Sequence, residues 1–156
     1  MVRILFIEDS VDLLDDLLRQ LEELKPEWAL DQADSIDVAW EFLCKTEYDC
    51  IVLDIMLPTE RQEISQLSEG ICLAKWLREV QTDDLPSAPE GTPLTKNRRA
   101  PIICYTSRGT PGVEKEAQDL LSTPHFYVKG RLKNNPVVVA RLIISVTEDA
   151  GTALEP

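Results

Sequence analysis

The stretch that decides the fold is Asp49-Cys50-Ile51-Val52-Leu53-Asp54, followed by Ile55-Met56-Leu57-Pro58. Its apolar run is short, is rich in Val and Ile, and lacks alternation of polar and apolar residues. Such a run is typical of a strand buried on both faces of a parallel sheet. Similar runs recur along the chain, and together they predict strands at residues 2–7, 28–30, 49–53, 102–105 and 126–128.

Helical patterns separate these strands. The apolar residues of the first pattern share one helix face and are Leu14, Leu17, Leu18 and Leu21. Pro26 stops this helix, and Ser35 can cap the next one. Further helices are predicted at residues 71–80, 113–121 and 136–149. The alternation of strands and helices predicts a doubly wound α/β fold, in which right-handed crossovers place helices on both faces of a parallel sheet.

Composition limits the classes of function. The chain has 156 residues, enough for one domain with an apolar core. Its 16 Lys and Arg against 28 Asp and Glu give a net charge of −12, which disfavours direct binding to nucleic acid or to anionic lipid. No Cys-x-x-Cys pair is present, so a zinc site is not predicted. No signal peptide and no stretch long enough for membrane insertion is found, so a cytoplasmic location is expected.

The expected organisation is one domain over residues 1–150 with a flexible tail over 151–156. Two segments are longer than the connections that this fold needs, and they are predicted to be insertions. Residues 59–69 form a polar stretch just after the third strand. Residues 81–100 are long for a connection between a helix and a strand, and are expected to be a mobile loop or insertion. Their basic cluster, Lys96-Asn97-Arg98-Arg99, is expected to be a solvated loop.

Polar residues follow the ends of four predicted strands. They are Glu8 and Asp9, Asp54, Thr106 and Lys129. Because ligands of open parallel sheets bind at the carboxyl ends of the strands, these side chains are expected to share one edge. Crowded carboxylates need a cation, and hard oxygen ligands with room for phosphate suit Mg²⁺. Asp54 is then placed to attack phosphorus and become an acyl phosphate, with Thr106 and Lys129 holding phosphoryl oxygens.

In these residues the chain resembles a response-regulator receiver domain, the phosphoacceptor module of two-component signalling. The resemblance rests on the acidic pair Glu8-Asp9, the Leu-Asp-Ile-Met-Leu-Pro segment around Asp54, Thr106 and Lys129, in the right order and near-family spacing. It implies a flavodoxin-like (βα)5 fold with strand order 2-1-3-4-5. It covers residues 2 to about 149, and five residues in register at strand ends make a specific signal.

The resemblance also implies residue roles. Asp54 would accept a phosphoryl group from a histidine kinase or phosphotransfer protein and would pass the signal to a downstream protein. The implied Mg²⁺ ligands are Glu8, Asp9, Asp54 and the backbone carbonyl of Met56. Thr106 and Phe126 would be switch residues. In this reading the chain is a stand-alone phosphoacceptor rather than an enzyme that turns over a substrate.

Two departures leave alternatives open. The spacing between Asp54 and Thr106 is longer than is usual for the family, and Gly130 follows Lys129 where the family commonly has proline. A pseudo-receiver that binds proteins without using phosphate is therefore the alternative. A haloacid-dehalogenase-like phosphatase is the third class, but it generally needs a second Asp where this chain has Met56.

Two apolar features of the sequence lead to further predictions. The last helix is apolar over more than one face, which predicts an exposed patch for a homodimer or a target. The three tryptophans, Trp28, Trp40 and Trp76, are expected to pack in the core or at its rim rather than to form a ligand site.

Overall fold

This computed structural model describes residues 1–8, 11–54, 69–83, 85–106, 115, 119, 126–128 and 135–154. The strands are β1 (Arg3–Ile7), β2 (Ala29–Ala33), β3 (Cys50–Leu53), β4 (Ile102–Thr106) and β5 (Phe126–Val128). The helices are α1 (Val11–Leu24), α2 (Ile36–Lys45), α3 (Glu69–Leu77), α4 (Thr95–Arg99) and α5 (Pro136–Leu154). No described helix is both long enough and apolar enough to cross a membrane.

All five strands join one parallel sheet in the order β2-β1-β3-β4-β5, which confirms the predicted order. The core lies on both faces of this sheet. On one face, β1 and β3 residues such as Leu5 and Ile51 pack with α2 and α3. On the other, neighbours such as Phe6 and Val52 pack with α1 and α5. Because successive strand residues point to opposite faces, unbroken apolar runs bury both sides, as the sequence predicted.

Two helix starts follow capping chemistry. The Ser35 hydroxyl accepts a hydrogen bond from Val38 N at 3.3 Å, which confirms the predicted cap of α2. At α5, the Asn135 side chain accepts from Val138 N at 3.0 Å, and Pro136 takes the first helical position, where a missing N–H costs nothing.

Several boundaries differ from the predicted ones. β2 extends to Ala33 through polar Asp31, whose carboxylate accepts hydrogen bonds from Arg3 and Tyr48 and so fits a half-buried edge strand. α5 continues to Leu154 and includes residues that were predicted to form a flexible tail, because Gly151 weakens a helix without ending it. Of the helix predicted at 113–121, two residues are described, and both are helical and exposed.

The connecting segment, defined as residues 81–100, is tied into the domain at its second half. Asn97 is fully buried, with 0% of its surface exposed. Its amide donates to Leu43 O at 2.8 Å and to Thr46 O at 2.7 Å, and its oxygen accepts from Tyr48 N at 2.8 Å. Lys96 forms an ion pair with Asp49 at 2.8 Å. The interpretation of the basic cluster as a solvated loop is therefore wrong.

Reciprocal hydrogen bonds of two arginines join α3 to α4. Arg78, just after α3, donates to the carbonyl oxygens of Arg98 and Ala100 at the end of α4. Arg98 donates in return to Trp76 O at 3.2 Å and Leu77 O at 3.0 Å, at the end of α3. Each cation thus satisfies carbonyl groups that a helix end leaves without intrahelical partners. Charged residues satisfied in this way do not need full solvation.

Candidate functional site

Glu8 and Asp54 lie side by side at the carboxyl edge of the sheet. In the parallel pairing of β1 with β3, Ile7 lies opposite Leu53, so each acidic residue comes one position after a paired residue. The backbone continues this ladder, since Asp54 N donates to Ile7 O at 2.9 Å and Glu8 N donates to Ala33 O at 2.9 Å. Main-chain hydrogen bonds to neighbouring strands therefore fix the backbone positions from which both side chains extend.

Both residues are buried. Glu8 is 3% exposed and Asp54 is 4% exposed, and they are the buried acidic residues of the described chain. Taking a carboxylate out of water costs several kcal/mol unless other groups compensate its charge. Two such groups at one strand edge are more typical of a binding or reaction site than of a packing solution.

The charge of this pair reaches the neighbouring strand. Burial, and then the nearby Asp54 carboxylate, raise the pKa of the Cys104 thiol to about 12. Burial, and then the Glu8 carboxylate, raise the pKa of the Tyr105 hydroxyl. Since Cys104 pairs with Leu53 across β3 and β4, the acidic pair lies against the end of β4. Neither Cys104 nor Tyr105 was predicted as a site residue; their place near the end of β4 was the available signal.

The donor chemistry of this pair fits Mg²⁺, which prefers hard oxygen ligands and is usually bound through one or two carboxylates. Among the described residues, no group of three or more His, Cys, Asp or Glu side chains gathers around one point. The predicted third carboxylate, Asp9, and the Met56 carbonyl lie outside the described residues. Glu8 and Asp54 thus supply two of the predicted ligand groups at one place.

The other predicted site residues are placed in part. Thr106 ends β4 opposite Val128, so its backbone lies at the same edge as the acidic pair. Phe126 begins β5 opposite Cys104. Lys129 lies outside the described residues, and so does Gly130, which follows it.

Comparison with known proteins gives a consistent fold. No family model matches the chain, and no curated protein matches it. Solved structures do match. A CheY-like response regulator receiver domain protein from Methanospirillum hungatei JF-1 has a TM-score of 0.71 at 14% identity, covering 98% of each chain. The signal receiver domain of the DNA binding response regulator merR from Colwellia psychrerythraea 34H has a TM-score of 0.69 at 21% identity, covering 95% of this chain and 99% of that one.

A two-component response regulator from Clostridium difficile is also similar, with a TM-score of 0.68 at 19% identity over 95% of this chain and 97% of that one. The protein therefore has a flavodoxin-like, doubly wound fold. More particularly, it has the fold of a response-regulator receiver domain, as the resemblance predicted. At these identities the likeness establishes the fold, and the function is argued separately below.

Proposed function

We propose that the chain is a response-regulator receiver that accepts a phosphoryl group on Asp54. The observation that carries the proposal is the burial of Glu8 and Asp54 side by side, each one residue past a paired strand. A receiver fold with a strand-end carboxylate in that place offers a nucleophile with a fixed backbone and a second negative charge to hold a cation.

In the proposed reaction, an Asp54 carboxylate oxygen attacks the phosphorus of a phosphohistidine. The new O–P bond forms as the P–N bond breaks, and the electron pair stays on the imidazole, which takes up a proton. Glu8, Asp9, Asp54 and the Met56 carbonyl would hold Mg²⁺, and the bound ion would neutralise charge on the phosphoryl oxygens. The chain's own contribution is positioning, together with exclusion of water from a buried carboxylate. Thr106 and Lys129 would hold phosphoryl oxygens.

The proposal implies protein partners rather than turnover of a substrate. A histidine kinase or phosphotransfer protein would supply the phosphoryl group in the cytoplasm, and a downstream protein would read the phosphorylated state through the switch residues Thr106 and Phe126. A homodimer through α5 remains part of the proposal. On that helix Val139 and Ile143 are buried, whereas the side chains of Val137 and Val138 are exposed.

The test is phosphorylation by acetyl phosphate in the presence of Mg²⁺, read by intact mass. The wild type should gain one phosphoryl group, and Asp54→Asn should gain none. Asp34→Asn, an exposed carboxylate just after β2, is the matched control and should behave as wild type. Glu8→Gln should slow the reaction at least about tenfold at a fixed Mg²⁺ concentration, since a cation ligand is lost. Chelation of Mg²⁺ should also suppress the gain.

A mass gain that persists in Asp54→Asn would place the phosphoryl group elsewhere and contradict the proposal. A folded wild type that gains no mass and does not change on adding beryllofluoride would instead support the alternative, a pseudo-receiver that binds protein partners without phosphate. Turnover of phosphate monoesters would favour the third hypothesis, a haloacid-dehalogenase-like phosphatase.

A further inference from the structure

The feature that the proposed function leaves unused is a proline loop, defined as residues 85–90, Leu-Pro-Ser-Ala-Pro-Glu. It lies over two tryptophans that are 3% and 7% exposed, Trp40 of α2 and Trp76 of α3. The indole N–H of Trp76 donates to Pro86 O at 2.9 Å, and that of Trp40 donates to Glu90 O at 3.2 Å. The two rings meet edge to face, with centroids 6.1 Å apart.

This arrangement has the chemistry of proline-rich peptide recognition. Segments with the spacing Pro-x-x-Pro, here Pro86 and Pro89, favour an extended conformation that loses little entropy on binding. Aromatic grooves bind such segments by packing against the prolines. Tryptophan suits such a groove because its ring supplies apolar area while its N–H donates to a ligand carbonyl. Both prolines of the loop are half-buried, while Ser87 and Ala88 between them are exposed.

The proline loop is also separable from the anchors on either side of it. Before it, Val80 N donates to Lys75 O at 2.9 Å, which ties the chain to the end of α3. After it, Leu94 N donates to Leu43 O at 2.9 Å, and the buried Asn97 follows. Gly91, at φ 105°, makes the turn between the loop and this second anchor. Movement of residues 86–90 away from the tryptophans would therefore leave the sheet, both anchors and Leu85, which packs against the core, in place.

We infer that the surface formed by Trp40 and Trp76 is a binding site for Pro-x-x-Pro segments, and that the proline loop is its resident, displaceable ligand. A partner protein that presents a Pro-x-x-Pro segment would bind by taking the place of the loop. The loop thus acts as an autoinhibitory contact that raises the concentration of partner needed for binding. This site is independent of Asp54, so its failure would leave the phosphoacceptor proposal intact.

The test uses a synthetic peptide with the sequence of residues 85–92 and the full-length chain carrying Pro86→Gly and Pro89→Gly, which weaken the resident loop. The readout is the set of indole N–H signals in nitrogen-15 NMR spectra. Peptide titration should shift the Trp40 and Trp76 signals saturably. Trp28, which lies against Lys25 on the other face of the sheet, serves as the internal control and should not move.

The wild type should show the same two shifts with at least about tenfold weaker affinity, because the tethered loop competes at a high effective concentration. A peptide with both prolines replaced by alanine should shift neither signal. No saturable shift of Trp40 and Trp76 in the variant or in the wild type at millimolar peptide would overturn the inference, and so would equal binding of the alanine peptide. The wild-type titration decides the matter even if the double variant does not fold.

Discussion

Replacing Asn97 should reveal how firmly the connecting segment is bound into the domain. This side chain joins α4 to the end of α2 and to the turn that leads from α2 to β3, and its three hydrogen bonds all go to backbone groups there. The pattern uses the amide in one orientation only: two donors face Leu43 O and Thr46 O, and the acceptor faces Tyr48 N. No charged or hydroxyl side chain of similar size can supply both donors and the acceptor.

The magnitude follows from these bonds. Asn97→Ala removes three hydrogen bonds worth about 1 kcal/mol each and leaves a small cavity at a fully buried position. Leu43 O keeps the bond from Leu94 N, which limits the loss at that carbonyl. The expected decrease in the free energy of unfolding is about 3–4 kcal/mol, a large share of the stability of an ordinary domain.

Asn97→Asp separates the hydrogen-bond argument from simple loss of packing. A neutral Asp keeps the acceptor and one donor, whereas an ionised Asp turns a second negative oxygen toward two carbonyl groups. Its folded pKa is therefore raised above the unfolded value of about 3.9, and the stability present below that pH is lost as the pH rises. Between pH 5 and pH 7 the aspartate variant should lose stability relative to Asn97→Ala, by up to about 1.4 kcal/mol per pH unit for as long as the pH stays below the folded pKa.

The assay is urea unfolding at pH 5, 6 and 7, followed by tryptophan fluorescence and circular dichroism. Thr95→Ala is the matched control, because Thr95 is exposed on the same short helix and should change stability by less than about 0.5 kcal/mol. The reasoning is refuted if Asn97→Ala costs less than about 1 kcal/mol, or if the difference between the two Asn97 variants does not depend on pH.

Three further outcomes are expected. Iodoacetamide at pH 8 should label Cys44 first in the folded protein, since it is half-buried while Cys50, Cys72 and Cys104 are buried; equal labelling of all four by peptide mass mapping would contradict this. Burial raises the pKa of both Cys50 and Cys104 to about 12, so the stability they contribute is present below the free-thiol value and falls above it. Unfolding curves should therefore show a loss of about 3 kcal/mol from pH 8 to pH 10, and a Cys50→Ala, Cys104→Ala double variant should lose less. Gly91→Ala should cost about 1–2 kcal/mol in thermal or urea unfolding, and no loss would contradict the strain at that positive φ. The added methyl would also meet Cys44 Sγ at 3.1 Å.

The sheet and its carboxyl edge could be predicted because their causes are local in sequence. An apolar run buried on both faces is visible in residues 49–53, and the residue that follows it must lie at the strand end. Asp54 and Glu8 were found in this way, and their adjacency followed from the strand order. The prediction was weaker at β2, where an edge strand tolerates polar residues and Asp31 is satisfied by Tyr48, a partner 17 positions away.

The connecting segment could not be predicted because its partners are remote. Charges beside Asn97 suggest solvation when only the neighbouring sequence is considered. In the structure the partners of Arg98 include carbonyl groups 21 and 22 residues earlier, and those of Asn97 lie more than 50 residues earlier at Leu43 and Thr46. Helix-end carbonyls have no sequence signature of their own, since every residue carries one. A basic residue near a helix end therefore indicates a cap only once the tertiary arrangement is known.

The acidic pair and the contacts of the connecting segment lie far apart in the fold. The acidic pair lies at the carboxyl edge of the sheet, while Asn97, Lys96 and Asp49 lie where β3 begins, at the opposite edge. Strands with strong pairing separate the two regions, so an altered connecting segment acts on the acidic pair mainly through global stability. It follows that Asn97→Ala should lower the folded fraction in urea while the folded molecules still phosphorylate at the wild-type rate. A change of that rate without unfolding would show that the two edges are coupled through the sheet.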